Sequence, residues 1–146
     1  MKKVLYIVIT LGMVSTFAGA VEWMYLSPED CNRYGKGTCH LGTDRCGCYG
    51  DERRAIKTCR MAGGRLPTIN ELKSVTRSCG VIAKEFGYNK LRHAYYNCMS
   101  NKRFGGLGHY RSRSRDKSGA YKSIMFSDAS VRSVRRFAKI DFRCVK

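Results

Sequence analysis

Eight cysteines in a chain of 146 residues constrain this protein more than any other feature of its sequence. They are Cys31, Cys39, Cys46, Cys48, Cys59, Cys79, Cys98 and Cys144. An even number of cysteines in a small exported domain is typical of a disulfide framework, which stabilises a fold whose hydrophobic core is small. If the chain is exported, we expect four disulfides.

The first twenty residues indicate that it is exported. Residues 1–3 are a short basic start, residues 4–17 are apolar or small, and residues 18–20 form the small-x-small pattern of a signal peptidase site. The apolar run of about 14 residues is shorter than the roughly 20 that a transmembrane helix needs, which argues against a membrane anchor. We predict cleavage before Val21 and a soluble periplasmic or secreted product without a lipid-attachment cysteine.

A metal site is the alternative use of the Cys-rich segment 21–50, where four cysteines accompany a histidine. Its ligands would be Cys31, Cys39, His40, Cys46 and Cys48. Zinc ligands are usually paired as Cys-x2-4-Cys, and the single residue between Cys46 and Cys48 is too short a spacing for that turn. An oxidising compartment also consumes thiols. We therefore expect disulfides here, and neither a metal nor a cofactor.

The positive charge is concentrated in the second half of the chain. The whole sequence has a formal net charge of +17, which falls to +15 without Lys2 and Lys3. Residues 21–83 contain ten basic and seven acidic residues, whereas residues 84–146 contain sixteen and four. The second half thus carries +12, more than solubility requires.

Two amphipathic helices are predicted early in the region 51–146. Ala55, Ile56, Cys59 and Ala62 recur at helical spacing after Asp51, and Gly63-Gly64 ends the pattern. Thr68 and Glu71 then have the spacing of a capping box, which starts a second helix with Leu72, Val75 and Cys79 inward. For residues 80–119 we predict mostly loop with short strands, interrupted by the glycine-rich segment 105–108.

The last part of the chain is predicted to be β. Residues 121–126 are rich in strand-forming side chains, residues 127–130 suit a turn, and residues 131–137 can form the returning strand. Ile140, Phe142 and Cys144 alternate along a final strand. Helices followed by a C-terminal antiparallel β-meander predict an α+β fold.

Two segments together resemble bacterial C-type lectin-like domains. The sequence Cys59-Arg-Met-Ala-Gly-Gly-Arg-Leu-Pro-Thr-Ile-Asn-Glu-Leu72 is similar to the passage between their two helices, and residues 120–134 and 142–146 are similar to their last hairpin and closing strand. The most similar variant is the Lcl C-terminal domain family; the formylglycine-generating enzyme fold is a more distant likeness. The resemblance covers residues 51–79 and 120–146.

This resemblance implies a disulfide pattern. Because the first helix packs against the last strand in such domains, it implies a Cys59–Cys144 bridge, with Cys79–Cys98 as an internal clip. Cys31, Cys39, Cys46 and Cys48 would then pair among themselves, in an order that the sequence leaves open.

The activities associated with these folds do not transfer readily to this chain. Calcium-dependent sugar binding needs clustered carboxylate and amide oxygens, and residues 84–146 contain only Glu85, Asp116, Asp128 and Asp141 as acids, without a calcium-lectin triplet. Formylglycine generation belongs to much longer chains with cysteine redox or copper chemistry. We expect neither activity.

Small basic secreted domains with several disulfides also include hydrolases. A ribonuclease would need an acid and a base among His40, His93 and His109, none of which lies in a recognisable motif. A glycosidase would need two facing carboxylates, but Glu71 is better explained as a cap and Glu85 has no evident partner. A hydrolase is therefore the least favoured class, and we expect no catalytic residues.

The basic residues of the second half are the favoured binding site. In an extended segment Arg111, Arg113, Arg115 and Lys117 would project to one side about 7 Å apart, near the spacing of successive anionic groups of a polymer. Other basic residues and two tyrosines could join them. These are Lys102, Arg103, Tyr110, Tyr121, Arg132, Arg135 and Arg136.

We therefore expect a non-catalytic module that binds a polyanion through residues 102–136. Lipopolysaccharide, capsule, teichoic acid and sulfated glycosaminoglycans are the abundant polyanions outside the cytoplasm, and extracellular nucleic acid remains open. The resemblance to Lcl C-terminal domains, which are adhesive modules for sulfated glycans, implies an anionic glycan. The alternative is a protein-recognition module for an acidic partner.

Overall fold

A computed structural model describes residues 21–34, 37–38, 47–80, 90–102, 104 and 108–146. The predicted signal peptide, Cys39, His40, Cys46, Glu85 and Arg103 lie outside the described residues, as does the side chain of His93. Ten helices and strands occur within these ranges. They are α1 (Pro28–Tyr34), β1 (Gly37–Thr38), β2 (Gly47–Gly50), α2 (Glu52–Met61), α3 (Ile69–Ser78), α4 (Lys90–Asn101), β3 (His109–Arg115), β4 (Tyr121–Met125), β5 (Val131–Val134) and β6 (Ile140–Phe142).

The two predicted helices form, and local hydrogen bonds start both of them. The carboxylate of Asp51 accepts a hydrogen bond from the Arg54 amide, 3.0 Å away, at the start of α2. In α3 the capping box is complete, because the Thr68 hydroxyl accepts from the Glu71 amide and the Glu71 carboxylate accepts from the Thr68 amide. Ile56, which we predicted to face inward, is exposed.

Helix α4 occupies part of a region that we predicted to be mostly loop. Its first turn has no acidic residue, and its sequence is rich in aromatic, Asn and Ser residues, which are poor helix formers in isolation. Tyr95 and Met99, one turn apart, are buried in the core, and Cys98 bonds Cys79 of the segment that ends α3. Tertiary packing therefore stabilises this helix.

The strands form one six-stranded sheet in the order β1-β2-β6-β3-β4-β5. Strands β4 and β5 are antiparallel neighbours, as predicted for the hairpin, and β3, in a region that we predicted to be mostly loop with short strands, pairs antiparallel with β4 on its other side. Strand β6, however, lies between β2 and β3, antiparallel to the first and parallel to the second. The sheet is thus mixed, and the prediction of a pure antiparallel meander is wrong. The fold class α+β is correct.

The described residues form two hydrophobic cores, and strands of the sheet contribute to both. One contains α3, α4 and the inner residues of β3 and β4, with Phe104 at its centre. The Phe104 ring makes edge contacts with the rings of Trp23, Tyr110 and Phe126 at 5.0–5.2 Å between centroids. The other core joins α1, α2, β2 and β6.

Three disulfides lie within the described residues, and two of them belong to the second core. They are Cys31–Cys48, Cys59–Cys144 and Cys79–Cys98. The last two coincide with the pairs that the resemblance implied, and Cys31–Cys48 lies within the expected N-terminal quartet. Because β2 pairs with β6, the N-terminal segment contributes strands to the same sheet as the C-terminal region.

Candidate binding site on the basic hairpin

The predicted basic residues do not all reach the surface. Six of them are exposed on β3, β5 and the segments that follow these strands. They are Arg113, Arg115, Lys117, Arg132, Arg135 and Arg136, and we refer to them as the basic hairpin surface. Lys102 is also exposed, but it follows α4 on the opposite side of the sheet from the cleft described below.

Tyr110 and Arg111 are buried, so a polymer cannot contact them at the surface and they do not belong to the binding residues. Tyr110 is 1% exposed and stacks on Phe126 in the core, with ring centroids 4.5 Å apart. Arg111 is 0% exposed, and one of its guanidinium nitrogens donates a hydrogen bond to the Ala138 carbonyl. Burial lowers the pKa of Arg111 from its usual value.

The alternation predicted for the arginines also fails in detail, because β3 contains an irregularity. Arg111 pairs with Ser123 and Arg115 pairs with Tyr121, so three residues of β3 (112–114) oppose the single residue Lys122 of β4. This register shift re-aims the end of β3. Arg115 lies at the surface beside Tyr121, whereas Arg111 is buried against the Ala138 carbonyl of the segment after β5.

A cleft of about 420 Å³ lies on this part of the sheet. Its walls are the first residue of α2, the turn between β3 and β4, and the segment that follows β5. In β4, Tyr121 lines the cleft while Ile124 is part of the aromatic core. Since side chains alternate along a strand, the cleft is on the face of β4 opposite that core.

Glu52 is the acidic residue at the base of the cleft, where its side chain is only 9% exposed. One carboxylate oxygen lies 4.0 Å from Nη2 of Arg115, and the other lies 3.7 Å from Nε of Arg136. The Glu52 amide donates to the Arg136 carbonyl at 3.1 Å. The start of α2 is therefore fastened to the segment after β5 through both backbone and side chain.

Arg115 and Tyr121 form the central contact of the cleft. The Arg115 guanidinium lies 4.1 Å above the centroid of the Tyr121 ring, donates to the Tyr121 hydroxyl and donates to the Gly119 carbonyl at 3.0 Å. Such a cation–π contact holds the guanidinium in place. Burial, followed by the nearby Glu52 carboxylate, raises the pKa of Tyr121, so the hydroxyl remains protonated.

The turn between β3 and β4 is held by Asp116. Its carboxylate accepts hydrogen bonds from the Ser118 hydroxyl, from the amides of Ser118 and Ala120, and from the Ser133 hydroxyl of β5. These bonds, the Ser118 hydroxyl first, lower the pKa of Asp116 to about 2. The cleft wall is thus fixed to both β4 and β5.

Arg135 and Phe137 also line the cleft. Phe137 is 75% exposed, and its ring centroid lies 5.5 Å from the guanidinium carbon of Arg136. No ion pair of Arg135 occurs within the described ranges. The Arg132 guanidinium, in contrast to that of Arg135, is engaged by neighbouring residues: it lies 3.7 Å from the Asp128 carboxylate and donates to the Ser130 hydroxyl.

Sequence reasoning did not identify Glu52 and Phe137 as site residues. The sequence pattern places Glu52 at the acidic start of a helix and Phe137 at the end of a strand. The available signal was the sequence Arg135-Arg136-Phe137, in which an aromatic residue follows two arginines in a surface hairpin.

Residues considered for other chemistry lie apart from the cleft. His109 is at the start of β3, and its pKa is lowered by burial and by Arg132. Glu71 is engaged by Arg65, whose two terminal nitrogens lie 2.9 and 2.7 Å from its carboxylate oxygens. Within the ranges that the structure describes, no group of three or more His, Cys, Asp or Glu side chains is placed to hold a metal ion.

Comparisons with protein-family models, with curated proteins and with solved structures found no match for this chain. None of the helices in the described part of the chain is long and apolar enough to cross a membrane.

Proposed function

We propose that this protein is an exported, non-catalytic C-type lectin-like domain that binds anionic glycans through the basic hairpin surface. The observation that carries the proposal is the cleft, where Arg115, Arg135 and Arg136 surround Tyr121 and the exposed Phe137. Guanidinium groups bind carboxylates and sulfates in bidentate geometry. The exposed Phe137 ring provides a flat apolar surface beside them, whereas the Tyr121 ring is only 7% exposed beneath the Arg115 guanidinium.

Two features of the fold support the lectin-like assignment. The Cys59–Cys144 disulfide joins α2 to the C-terminal segment. The Arg65-Leu66-Pro67-Thr68 turn connects α2 and α3, and Arg65 forms a β-bridge with Val145. The three disulfides also fit an oxidising compartment, which supports export.

The test is salt-dependent elution from immobilised heparin, a sulfated glycan. The informative variant is Arg113→Ala/Arg135→Ala, which removes two exposed charges and leaves the contacts of Glu52 intact. We expect it to elute at lower salt, with the slope of log affinity against log salt reduced by about 2, one for each lost counterion.

The matched control is Arg60→Ala/Arg77→Ala, which removes two exposed charges from the last turns of α2 and α3. It should elute close to wild type. Equal losses in both double variants would show that net charge alone determines retention. If only retention on an acidic-protein matrix depended on Arg113 and Arg135, the acidic-partner alternative would replace the glycan.

A further inference from the structure

A surface that only attracts polyanions gains nothing from a carboxylate, because a negative charge repels the ligand. Yet the cleft contains Glu52 among three arginines, and its side chain is nine-tenths buried rather than directed into solvent. Keeping a buried carboxylate costs free energy that the flanking guanidinium groups must offset. Glu52 fastens α2 to the segment after β5 and balances part of the charge of the buried Arg111, and its place in the cleft lining also puts its carboxylate within reach of a ligand.

The geometry leaves the Glu52 carboxylate capacity to accept further hydrogen bonds. Its separations of 4.0 and 3.7 Å from Arg115 and Arg136 exceed the 2.7–3.2 Å of a direct hydrogen bond. An ionised carboxylate offers about four lone-pair sites, and the Tyr121 hydroxyl accounts for one of them. Hydroxyl groups of a ligand in the cleft can therefore donate to Glu52 while the arginines stay near it.

The other walls of the cleft suit the remaining parts of a sugar ring. Arg135 makes no ion pair within the described part of the chain, so its guanidinium can bind an oxyanion. Phe137 exposes three-quarters of its surface beside it, so its ring is accessible to a ligand. The volume of about 420 Å³ lies in the range of small-ligand sites.

We propose that the cleft is a subsite for one acidic sugar unit, a hexose ring that carries a carboxylate or a sulfate. Arg135 and Arg136 bind its oxyanion, Glu52 accepts hydrogen bonds from its hydroxyls, and Phe137 packs against the apolar face of the ring. The inference rests on the proposed glycan binding and adds a reason for selectivity: the site distinguishes hydroxyl-bearing polyanions from polyanions without hydroxyls.

The test asks whether one substitution, Glu52→Gln, strengthens or weakens the binding of each ligand. Glu52→Gln keeps the shape of the side chain and removes its charge. Affinities are measured by calorimetry for a hexagalacturonate, a lightly sulfated cellulose oligomer and a polyphosphate of matched charge. We expect Glu52→Gln to weaken binding of both sugars about tenfold, since hydrogen bonds to a charged acceptor are the stronger kind. It should strengthen polyphosphate binding a few-fold, because the surface becomes more positive.

Phe137→Ala provides a second variant that does not affect a buried group. It should weaken binding of the two sugars severalfold and leave polyphosphate binding unchanged. Glu29→Gln, which neutralises an exposed acid of α1, is the charge control and should change all three affinities in the same direction. The two sugars also show which oxyanion the arginines prefer.

The outcomes separate the two levels of the proposal. If Glu52→Gln strengthens binding of the sugars as well as polyphosphate, the subsite is wrong although the basic surface still binds glycans. If Phe137→Ala changes the affinity for neither the sugars nor polyphosphate, the proposed contact between Phe137 and the sugar ring is wrong. If wild-type protein binds polyphosphate but neither sugar, the proposed glycan binding fails together with the subsite.

Discussion

Neighbouring residues of β3 differ sharply in their surroundings. Arg111 is buried against the Ala138 carbonyl, whereas Arg113 and Arg115 are exposed. A count of arginines along the sequence treats these residues as equivalent. Their environments differ because β3 is irregular between Arg111 and Arg115 and because the segment after β5 covers Arg111.

The Arg65–Glu71 pair shows the opposite case, in which a local motif predicts a residue's role correctly. The spacing of Thr68 and Glu71 predicted the capping box. The structure adds Arg65, whose guanidinium is the main cause that lowers the pKa of Glu71 to about 2. The Glu71 carboxylate therefore both caps the start of α3 and forms an ion pair with the Arg65 guanidinium.

From this pair we predict a pH-dependent contribution to stability. The Glu71 carboxyl has an ordinary pKa of 4.5 and a pKa of about 2 in the folded protein, so protons bind the unfolded chain first. The contribution is present above pH 4.5 and is lost as the pH falls towards 2. Urea unfolding of wild type should show this loss, and Glu71→Gln should remove it.

Glu71→Ala separates the cap from the ion pair. Glutamine can still accept the Thr68 amide hydrogen bond, whereas alanine cannot. At pH 7 we expect Glu71→Ala to cost about 1–2 kcal/mol of the free energy of unfolding, more than Glu71→Gln. Equal stability of the two variants would contradict the role of the capping box.

At the scale of elements, the join between the α2–α3 turn and the C-terminal segment depends on close approach of the backbone. Arg65 and Val145 exchange two backbone hydrogen bonds of 2.8 and 2.9 Å. A Cβ at Gly64 would lie 2.5 Å from the Val145 carbonyl oxygen and 2.2 Å from the Met24 sulfur. Only glycine permits this approach.

We therefore predict that Gly64→Ala separates these elements locally. It should lower the free energy of unfolding by about 1–3 kcal/mol, the usual cost of overpacking, and speed amide exchange at Arg65 and Val145. Gly63→Ala is the matched control: it has a positive φ of 78° but nothing within 4 Å of the added Cβ. It should leave the exchange of both amides slow. Fast exchange in both variants would assign the effect to the turn conformation instead.

The elements also show what local sequence can predict. Helices α2 and α3 have caps and a buried stripe, so their existence follows from interactions within a few residues. Helix α4 lacks a strong pattern and is held by Tyr95, Met99 and the Cys98 disulfide. Long-range contacts of this kind leave no periodic signal in the sequence.

At the scale of the whole molecule, the Cys59–Cys144 disulfide closes a sequence separation of 85 residues and encloses most of the described fold. The Cys79–Cys98 disulfide closes only 19. Restricting a longer loop removes more entropy from the unfolded chain. The chain-entropy estimate of the stabilisation is about 4–5 kcal/mol for Cys59–Cys144 and about 3 kcal/mol for Cys79–Cys98.

We predict that Cys59→Ala/Cys144→Ala destabilises the oxidised protein more than Cys79→Ala/Cys98→Ala does. Both residues of the first pair are 0% exposed, so lost packing acts in the same direction. Urea unfolding of the two double variants gives the comparison. A larger loss for the Cys79–Cys98 pair would show that α4, rather than the closure of the chain, limits stability.

The sequence by itself determined the disulfide-rich character of the chain, the starts of α2 and α3, the C-terminal hairpin and the excess of basic over acidic residues in its second half. These properties depend on composition or on residues a few positions apart. Only the tertiary structure decided that β6 inserts between β2 and β3, that Arg111 is buried, and that Glu52, Tyr121 and Phe137 share one cleft. Those outcomes depend on which surfaces of distant segments pack together, and that packing is settled by the burial of the whole chain rather than by any local pattern.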